Sequence, residues 1–293
     1  MIPYDKREGK IWYNNDLVDW QDVKLHVLSH GLHYGSFVFE GLRVYEGEIF
    51  KLEEHTDRLY HSAKRMGIKI PYLKDEINKA TKKIVSVQKV QNGYVRPFVW
   101  RGSEMMAISA QQTKIHVGIA TWEWGSYFDP KLKTEGIKLN ISKWRRPAPN
   151  TIPWDTKASG LYMICTLSKH EAEQQGYADS LMLDHEGNVA EATGANIFFK
   201  DKEGSLHTPI PDSFLDGITR RAVIEIAKSK NIKIHERKIS PKELSKFVGC
   251  FLTGTAAEVT PVSCIADFKF QVCNTILDLS EDYQTLVRKK KAA

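Results

Sequence analysis

The sequence predicts an α+β protein built from two domains. Its 293 residues suffice for one large domain or two medium ones. Runs that are typical of strands occur beside runs with helical spacing, so both kinds of structure are expected. An aromatic, glycine-containing segment at 122–133 is typical of an interdomain linker. We therefore expect an N-terminal domain over 1–121, this linker, and a C-terminal domain over 134–293.

The first domain is expected to begin with strands and to continue with two helices. The run 37–45 alternates well enough for one strand. Gly67 provides a stop signal for the first helix, and Asn92-Gly93 turns the chain into the next strand. The expected elements, in chain order, are strands 10–13, 17–18 and 37–45, helices 52–66 and 74–88, and strands 94–100 and 115–120.

The second domain is expected to carry a strand pair between helices. A helix of about a dozen residues should follow Lys157 and run through Glu173. A strand over 181–184, a turn over 185–188 and a return strand over 189–191 predict a hairpin. Apolar spacing predicts a helix that begins near 218, and 251–258 reads as a strand running into a turn of small residues.

Composition and charge narrow the class of function. Hydrophobic residues make up 42% of the chain, enough for a sizeable core. The formal net charge is +6, yet acidic and basic residues are mixed along the chain. A nucleic-acid-binding protein is expected to cluster basic residues among aromatics on one face, so that function is disfavoured. A mildly positive surface suits small anionic substrates.

Cysteine, histidine and hydropathy patterns carry further expectations. No Cys-x-x-Cys pair and no metal-ligand spacing of histidines occurs, so we expect no metal site. No apolar run approaches the roughly 20 residues of a membrane span, and residues 1–7 lack an apolar signal region. These features predict a cytoplasmic protein with reduced thiols. The four cysteines are Cys165, Cys250, Cys264 and Cys273.

The most informative stretch runs from 155 to 199. Lys157 is followed by the small residues 158–160, which leave room for a flat group near the backbone. Tyr162 lies five positions on, and Glu191 enters an apolar, small-residue segment. A lysine amine that bonds an aldehyde, a carboxylate that keeps a ring nitrogen protonated and a phenol are the groups a pyridoxal 5'-phosphate (PLP) site needs. The alternative is a surface lysine and a solvated glutamate.

Three other groups are candidates for anion binding. Arg43 shares a predicted strand face with Phe39, and a buried arginine needs a partner or an anion. Tyr94 and Arg96 stand two residues apart on one face, where they could bind a carboxylate. Backbone N–H groups at the helix start near 218, with the Thr219 hydroxyl, form an anion site. The alternatives are an arginine paired with a local acid and an ordinary helix cap.

The sequence Lys157-Ala-Ser-Gly-Leu-Tyr162, joined to Glu191-Ala-Thr-Gly-Ala-Asn-Ile-Phe198, resembles the class IV aminotransferases. These enzymes have the two-domain fold type IV, like D-amino acid aminotransferase, and use PLP. Within them the chain most resembles the branched-chain amino acid aminotransferases, from about Tyr13 to about Ile265. Metals play no part in this resemblance.

The resemblance implies a reaction and its partners. Leucine, isoleucine and valine would be transaminated with 2-oxoglutarate, giving branched-chain 2-oxo acids and L-glutamate. A D-amino acid aminotransferase, an (R)-amine transaminase and an aminodeoxychorismate lyase are related alternatives. A non-catalytic basic binding module is the remote one. Residues 102–110 lack the glycine-rich loop expected there, which leaves the substrate range open.

The resemblance also assigns roles residue by residue. Lys157 is the catalytic residue, and Tyr34 is expected to reach a neighbouring subunit, which implies at least a homodimer. The implied cofactor-binding residues are Arg58 (in the pattern His55-x-x-Arg58-Leu59), Lys157, Tyr162, Glu191, Ile218, Thr219 and Thr255. The implied substrate-binding residues are Tyr34, Phe39, Arg43, Tyr94, Arg96, Trp124, Tyr127 and Ala256.

Overall fold

The computed structural model describes residues 2–125, 127–128 and 131–288. Their contacts group into two compact units. The first holds the described residues of Met1–Gly125 together with Thr156–Leu161, and the second holds those of Ser126–Asp155 and Tyr162–Ala293. Both units combine sheets with helices, which confirms the predicted α+β class. The predicted domain boundaries stay a prediction, and residues 126, 129 and 130 of the predicted linker lie outside the described residues.

The first unit is organised around an antiparallel sheet of seven strands. The order along the sheet is β2-β1-β7-β6-β4-β5, and β3 also pairs with β6. The long strands β6 and β7 pair over their whole length and form its centre. The strands are β1 Lys10–Tyr13, β2 Asp16–Asp19, β3 Phe37–Phe39, β4 Leu42–Tyr45, β5 Glu48–Ile49, β6 Gly93–Arg101 and β7 Ile115–Glu123.

The predicted single strand over 37–45 is wrong, because the chain leaves the ladder at Glu40 and Gly41. β3 and β4 both pair with β6 on either side of this break. The Glu40 amide donates to the carbonyl of Pro97 (2.8 Å). Pro97 has no N–H and cannot donate back to the ladder. The register on β6 is the same on both sides of the break, and Glu40 lies in the interior, 1% exposed.

Three helices accompany the first sheet. The two predicted long helices are confirmed, and the first ends where expected, with Gly67 at a φ of +64°. Each buries one apolar face, through residues such as Leu59 and Ile84. The helices are α1 His30–Tyr34, α2 Leu52–Arg65 and α3 Lys74–Val87.

The second unit contains a mixed sheet of nine strands. Its order is β10-β9-β8-β15-β14-β11-β12-β13, and β16 pairs with β15. β8 runs parallel to both of its neighbours, and the hairpin predicted at 181–191 is present as β9 and β10. The strands are β8 Ile137–Arg145, β9 Asp179–Leu183, β10 Val189–Ala192, β11 Asn196–Lys200, β12 Leu206–Thr208, β13 Ile234–Glu236, β14 Gly249–Gly254, β15 Glu258–Ile265 and β16 Phe268–Lys269.

Helices and a continuous apolar core complete the second unit. The core includes Leu139, Ile197, Phe199 and Leu252, all fully buried. The helix predicted near 218 begins at Ile218, as its apolar spacing indicates. The helices are α4 Leu132–Glu135, α5 Met163–Gln174, α6 Ile218–Ser229 and α7 Asn274–Arg288. None of the helices in the described part of the chain is both long and apolar enough to span a bilayer.

Candidate active site

Lys157 is held by its backbone inside the first unit. The Phe39 amide of β3 donates to the Lys157 carbonyl (3.1 Å). The Lys157 amide donates to the Ser62 hydroxyl of α2 (3.0 Å). Val38 and Ala158 form an isolated antiparallel bridge. Lys157, expected in the C-terminal domain, therefore groups with the N-terminal sheet through two neighbouring elements.

The Lys157 amine lies in a partly buried environment beside other charged groups. Its Nζ is 4.9 Å from the centroid of the Phe39 ring. Burial lowers the pKa of Lys157 to about 8; the Arg58 guanidinium lowers it further, and the Glu40 carboxylate opposes both. A lysine with a lowered pKa has a larger neutral, nucleophilic fraction near neutral pH than an exposed lysine. The amine is therefore suited to bonding an aldehyde.

Arg58 is fixed on a buried carboxylate. Its Nε donates to Glu40 Oε1 (2.6 Å) and its Nη2 to Oε2 (3.0 Å). His55 Nδ1 lies 2.7 Å from the same Oε2, and an ionised carboxylate only accepts. Burial alone would raise the pKa of Glu40, but Arg58 and His55 outweigh it and hold that pKa well below its ordinary value. Burial lowers the pKa of His55.

Sequence reasoning assigned Arg58 a role and missed Glu40 and His55 as its partners. The signal for Glu40 was present, since a carboxylate within the apolar run 37–45 must find a partner. The alternation pattern places Glu40 on the face opposite Phe39, and the register on β6 is the same on both sides of the break. Alternation alone does not show that the partner of Glu40 is Arg58 of α2.

Tyr94 and Arg96 share one face of β6, as the alternation predicts. Arg96 Nη2 donates to the Tyr94 hydroxyl (3.2 Å), and the guanidinium carbon lies 4.5 Å from the centroid of the Phe39 ring. Tyr94 packs edge-on against Trp124, with ring centroids 4.8 Å apart. These four side chains combine donors for an anion with an apolar wall.

Arg43 lies among aromatic rings in the same unit. Its Nη1 donates to the Gly125 carbonyl (2.9 Å), and its guanidinium carbon is 5.4 Å from the Tyr45 ring and 5.6 Å from the Trp124 ring. Within the described residues, neither Arg43 nor Arg96 is paired with a carboxylate, and the buried Nε of each has no hydrogen-bond partner. Buried guanidinium donors need an acceptor, so both arginines fit a carboxylate ligand.

In the second unit, the Glu191 carboxylate is contacted from two sides, by Arg146 and by Asn196. Arg146 Nε lies 3.4 Å from Glu191 Oε1, and Asn196 Nδ2 donates to Oε2 (3.3 Å). Burial alone would lower the pKa of Arg146, but Glu191, together with Cys165 and Tyr162, outweighs it and raises that pKa. Sequence reasoning singled out neither Arg146 nor Asn196. The signal for Asn196 was a polar residue at the start of an apolar strand.

The remaining predicted groups of this unit lie at element ends. Ile218 and Thr219 form the first turn of α6, whose N-cap is Gly217, so their N–H groups face outward from the helix start. Thr255 and Ala256 lie in the tight turn between β14 and β15. The Thr253 hydroxyl, just before that turn, is buried and has no hydrogen-bond partner among the described residues.

The structure assigns the predicted site residues to units as follows. Tyr34 is 44% exposed and stacks on His30 at 4.5 Å. Tyr127 packs edge-on against Phe128, 4.7 Å away. The first unit contains Tyr34, Phe39, Arg43, Arg58, Tyr94, Arg96, Trp124 and Lys157, and the second contains Tyr127, Tyr162, Glu191, Ile218, Thr219, Thr255 and Ala256.

Comparisons with known proteins agree on one family. Residues 37–265 match the family model described as "Amino-transferase class IV". A "Probable branched-chain-amino-acid aminotransferase" of Rickettsia conorii is 42% identical over 98% of this chain and 99% of that protein. The "Branched-chain-amino-acid aminotransferase" of Pseudomonas aeruginosa is 43% identical, covering 87% of this chain and 84% of that one.

Solved structures give the same result for the fold. The branched-chain amino acid aminotransferase of Escherichia coli superposes with a TM-score of 0.92 at 34% identity, covering 96% of this chain and 95% of that one. The branched-chain amino acid aminotransferase of Thermobaculum terrenum, solved in its PLP-bound holo-form, gives a TM-score of 0.86 at 27% identity, over 96% and 95%. These similarities confirm the predicted class IV aminotransferase fold.

Proposed function

The chain belongs to the class IV aminotransferase family, and from this premise we propose that it transaminates leucine, isoleucine and valine. The amino acceptor is 2-oxoglutarate, and the products are branched-chain 2-oxo acids and L-glutamate. The printed names of its relatives support this substrate class. The observation that carries the proposal is the pair Arg43 and Arg96, whose buried Nε atoms have no hydrogen-bond partner among the described residues and lie beside aromatic walls. Such a surface suits substrates that join a carboxylate to an apolar side chain.

The residues present fit PLP as the cofactor. Lys157 offers an amine of lowered pKa, α6 offers outward N–H groups, and Glu191 offers a carboxylate opposite Arg146. When bound, PLP supplies an aldehyde that bonds the substrate amine and a ring that takes up the electron pair of the Cα–H bond. The Thr253 hydroxyl adds a buried donor beside the turn that carries Thr255.

Each residue then has a defined task. Lys157 would take the proton from the substrate Cα and later return it, acting as general base and then as general acid. Glu191 would hold the protonated ring nitrogen, and Tyr162 would bond the ring's 3-oxygen. Phosphate binding falls to Arg58 and to the group Ile218, Thr219 and Thr255, because guanidinium forks and helix N-termini both suit phosphate oxygens.

Substrate binding uses two kinds of surface. Tyr94 and the amides at Thr255–Ala256 bind the α-carboxylate, whereas Arg43 and Arg96 bind the side-chain carboxylate of glutamate. Phe39, Trp124 and Tyr127 form the wall for a branched aliphatic chain. The Arg96 guanidinium lies beside the Phe39 ring, and the Arg43 guanidinium lies beside the Trp124 ring. One pocket can therefore accept the side chain of glutamate and a branched aliphatic side chain.

A homodimer completes the proposal. Apolar side chains are exposed around α1, next to the loop that carries Ala107, whose carbonyl lies 2.9 Å from His30 Nε2. Contiguous exposed apolar surface of this kind marks an interaction site, and Tyr34 lies within it. The exposed apolar residues of this region are Leu25, Val27, Leu28, Leu32, Tyr34, Met106 and Ile108. A cytoplasmic location stays a prediction.

The test combines a spectrum with an assay. The protein purified with PLP should absorb near about 400 nm, as a lysine-bound cofactor does, and Lys157→Ala should lose that band. With 2-oxoglutarate as acceptor, L-leucine should be consumed and D-alanine should not. Activity on D-alanine alone would replace this proposal with the D-amino acid alternative, and a colourless protein would remove the cofactor from it.

A further inference from the structure

Asn196, the first residue of β11, links two parts of the second unit that the proposed function uses. Its Nδ2 donates to Glu191 Oε2 (3.3 Å) and to the Leu215 carbonyl (2.9 Å). Its Oδ1 accepts from the Gly217 amide (3.1 Å), one residue before α6 begins. Both amide hydrogens and the amide oxygen are therefore used. The residue is 4% exposed, so water does not compete for these bonds.

The chain is shaped to let this amide reach the helix start. A Cβ on Gly217 would lie 2.1 Å from Asn196 Oδ1, so any side chain there would displace the Asn196 amide. The φ of Gly217 is −68°, a value that any residue adopts. Glycine is therefore required at 217 for the close approach of Asn196 and not for its backbone conformation.

The contact with Glu191 fixes the direction of its carboxylate. Arg146 lies beside one oxygen and Asn196 beside the other. The last torsion of a glutamate side chain is soft, so the cation beside one oxygen and the hydrogen-bond donor on the other hold the plane of the carboxylate. Arg146 also donates to the Cys165 sulfur (3.3 Å), and this bond holds the guanidinium in place beside Glu191.

We propose that Asn196 is a positioning residue that ties the Glu191 carboxylate to the start of α6. Glu191, the partner of the cofactor's ring nitrogen, is then held at a fixed distance from the α6 N–H groups that bind the phosphate. This inference rests on the proposed function, in which Glu191 and the α6 start hold opposite ends of one small molecule. Displacements of about 1 Å in such a constellation are costly.

The experiment compares PLP with pyridoxal, which lacks the phosphate. Dissociation constants of both are measured on the apo-protein from tryptophan quenching and visible absorbance, for wild type, Asn196→Ala and Asn196→Asp. We expect the preference for PLP over pyridoxal to fall at least about tenfold in Asn196→Ala, since pyridoxal engages only one end of the linked pair. Asn196→Asp retains the acceptor for Gly217 and loses the donor to Glu191, so it should lose part of that preference.

Asn140 provides a matched control. It is 7% exposed, belongs to the same unit, and bonds Gln175 and Ser180 through its amide. Asn140→Ala should lower the melting temperature and leave the preference for PLP within about twofold. An unchanged preference in folded Asn196→Ala or Asn196→Asp would overturn the inference, as would an equal loss for both ligands. Failure of wild type to bind PLP would instead overturn the proposed function.

Discussion

At the scale of single residues, the first unit is governed by buried charges that need each other. Lys157 is surrounded by Arg58, which disfavours its protonation, and by Glu40, which favours it. Glu40 is itself held by Arg58 and His55. Removing any member changes the electrostatic balance at the amine, because charges interact strongly where water is excluded.

The lowered pKa of Lys157 predicts unusual reactivity in the apo-protein. Labelling with an amine-acylating reagent should reach half of its maximal rate near pH 8, because only the neutral amine reacts. Mass spectrometry of the labelled peptides measures the rate, and exposed Lys82 in the same sample corrects for the reagent. A half-maximal rate near the ordinary lysine value of about 10.4 would contradict the assigned environment.

Glu40→Gln should strongly destabilise the protein. The substitution leaves the Arg58 guanidinium without its buried carboxylate, and breaking a buried pair from one side costs about 3 kcal/mol or more of unfolding free energy. Urea unfolding measures the loss. The control is Asp57→Asn on α2, the helix that carries Arg58; it removes the exposed partner of Lys74 and should cost less than about 1 kcal/mol of unfolding free energy. Equal losses in the two variants would refute the argument.

Several site residues could be predicted one by one, while their partners could not. Lys157, Glu191 and Arg58 carry the family's motifs, so the resemblance names them. Glu40, Arg146 and Asn196 act through contacts with residues distant in sequence, such as Asn196 with Leu215. Local pattern shows that a buried polar group needs a partner, but only the fold shows which one it finds.

At the scale of elements, the break between β3 and β4 could not be foreseen. The alternation over 37–45 is compatible with one strand, and the reason for the break lies on β6, at Pro97. The long helices were predictable, since their apolar spacing and the Gly67 stop are local signals. Strand continuity depends on the neighbouring strand, which sequence alone does not identify.

The break between β3 and β4 also gives a prediction for Gly41→Ala. A Cβ at this position would lie 1.8 Å from the Tyr94 hydroxyl, so the variant should lose about 1–3 kcal/mol of unfolding free energy. It should also raise the KM for leucine, because Tyr94 and Arg96 would be displaced. Tyr94→Phe removes the nearer of the two atoms that are struck and leaves the ring Cζ at 2.7 Å, so the double variant should recover part of the loss. Strict additivity of the two changes in urea unfolding would show that the clash is relieved elsewhere.

At the scale of the whole molecule, the order of the strands in each sheet could not be predicted from the sequence. In the second unit β8 lies between β9 and β15, which are far apart in the chain. Strands β9, β10 and β14 are recognisable in the sequence, but the choice of neighbours depends on packing across the entire core. Class and motifs were therefore predictable, and the sheet orders were not.

Acid should unfold the protein partly through Glu40. Its pKa is lowered by folding, so its contribution to stability is complete above the ordinary value of 4.5 and disappears as pH falls towards the folded value. The difference in unfolding free energy between wild type and Glu40→Gln should narrow below pH 4.5. Burial lowers the pKa of His55 and Glu40 opposes this, so the variant should lose more stability than wild type below the ordinary histidine value of 6.5, and the difference should not narrow between pH 6.5 and pH 5.5. A difference that widens below pH 4.5 would contradict this assignment.

The excursion of Thr156–Leu161 into the first unit has a consequence for how such a gene can evolve. The nucleophile is inherited with one half of the coding sequence, whereas the strand and helix that seat it, β3 and α2, are inherited with the other. A crossover near codon 125 would give each descendant Lys157 from one parent and the elements that contact it, β3 and α2, from the other. Exchange of halves between diverged relatives should therefore succeed only where the seat residues Phe39 and Ser62 match.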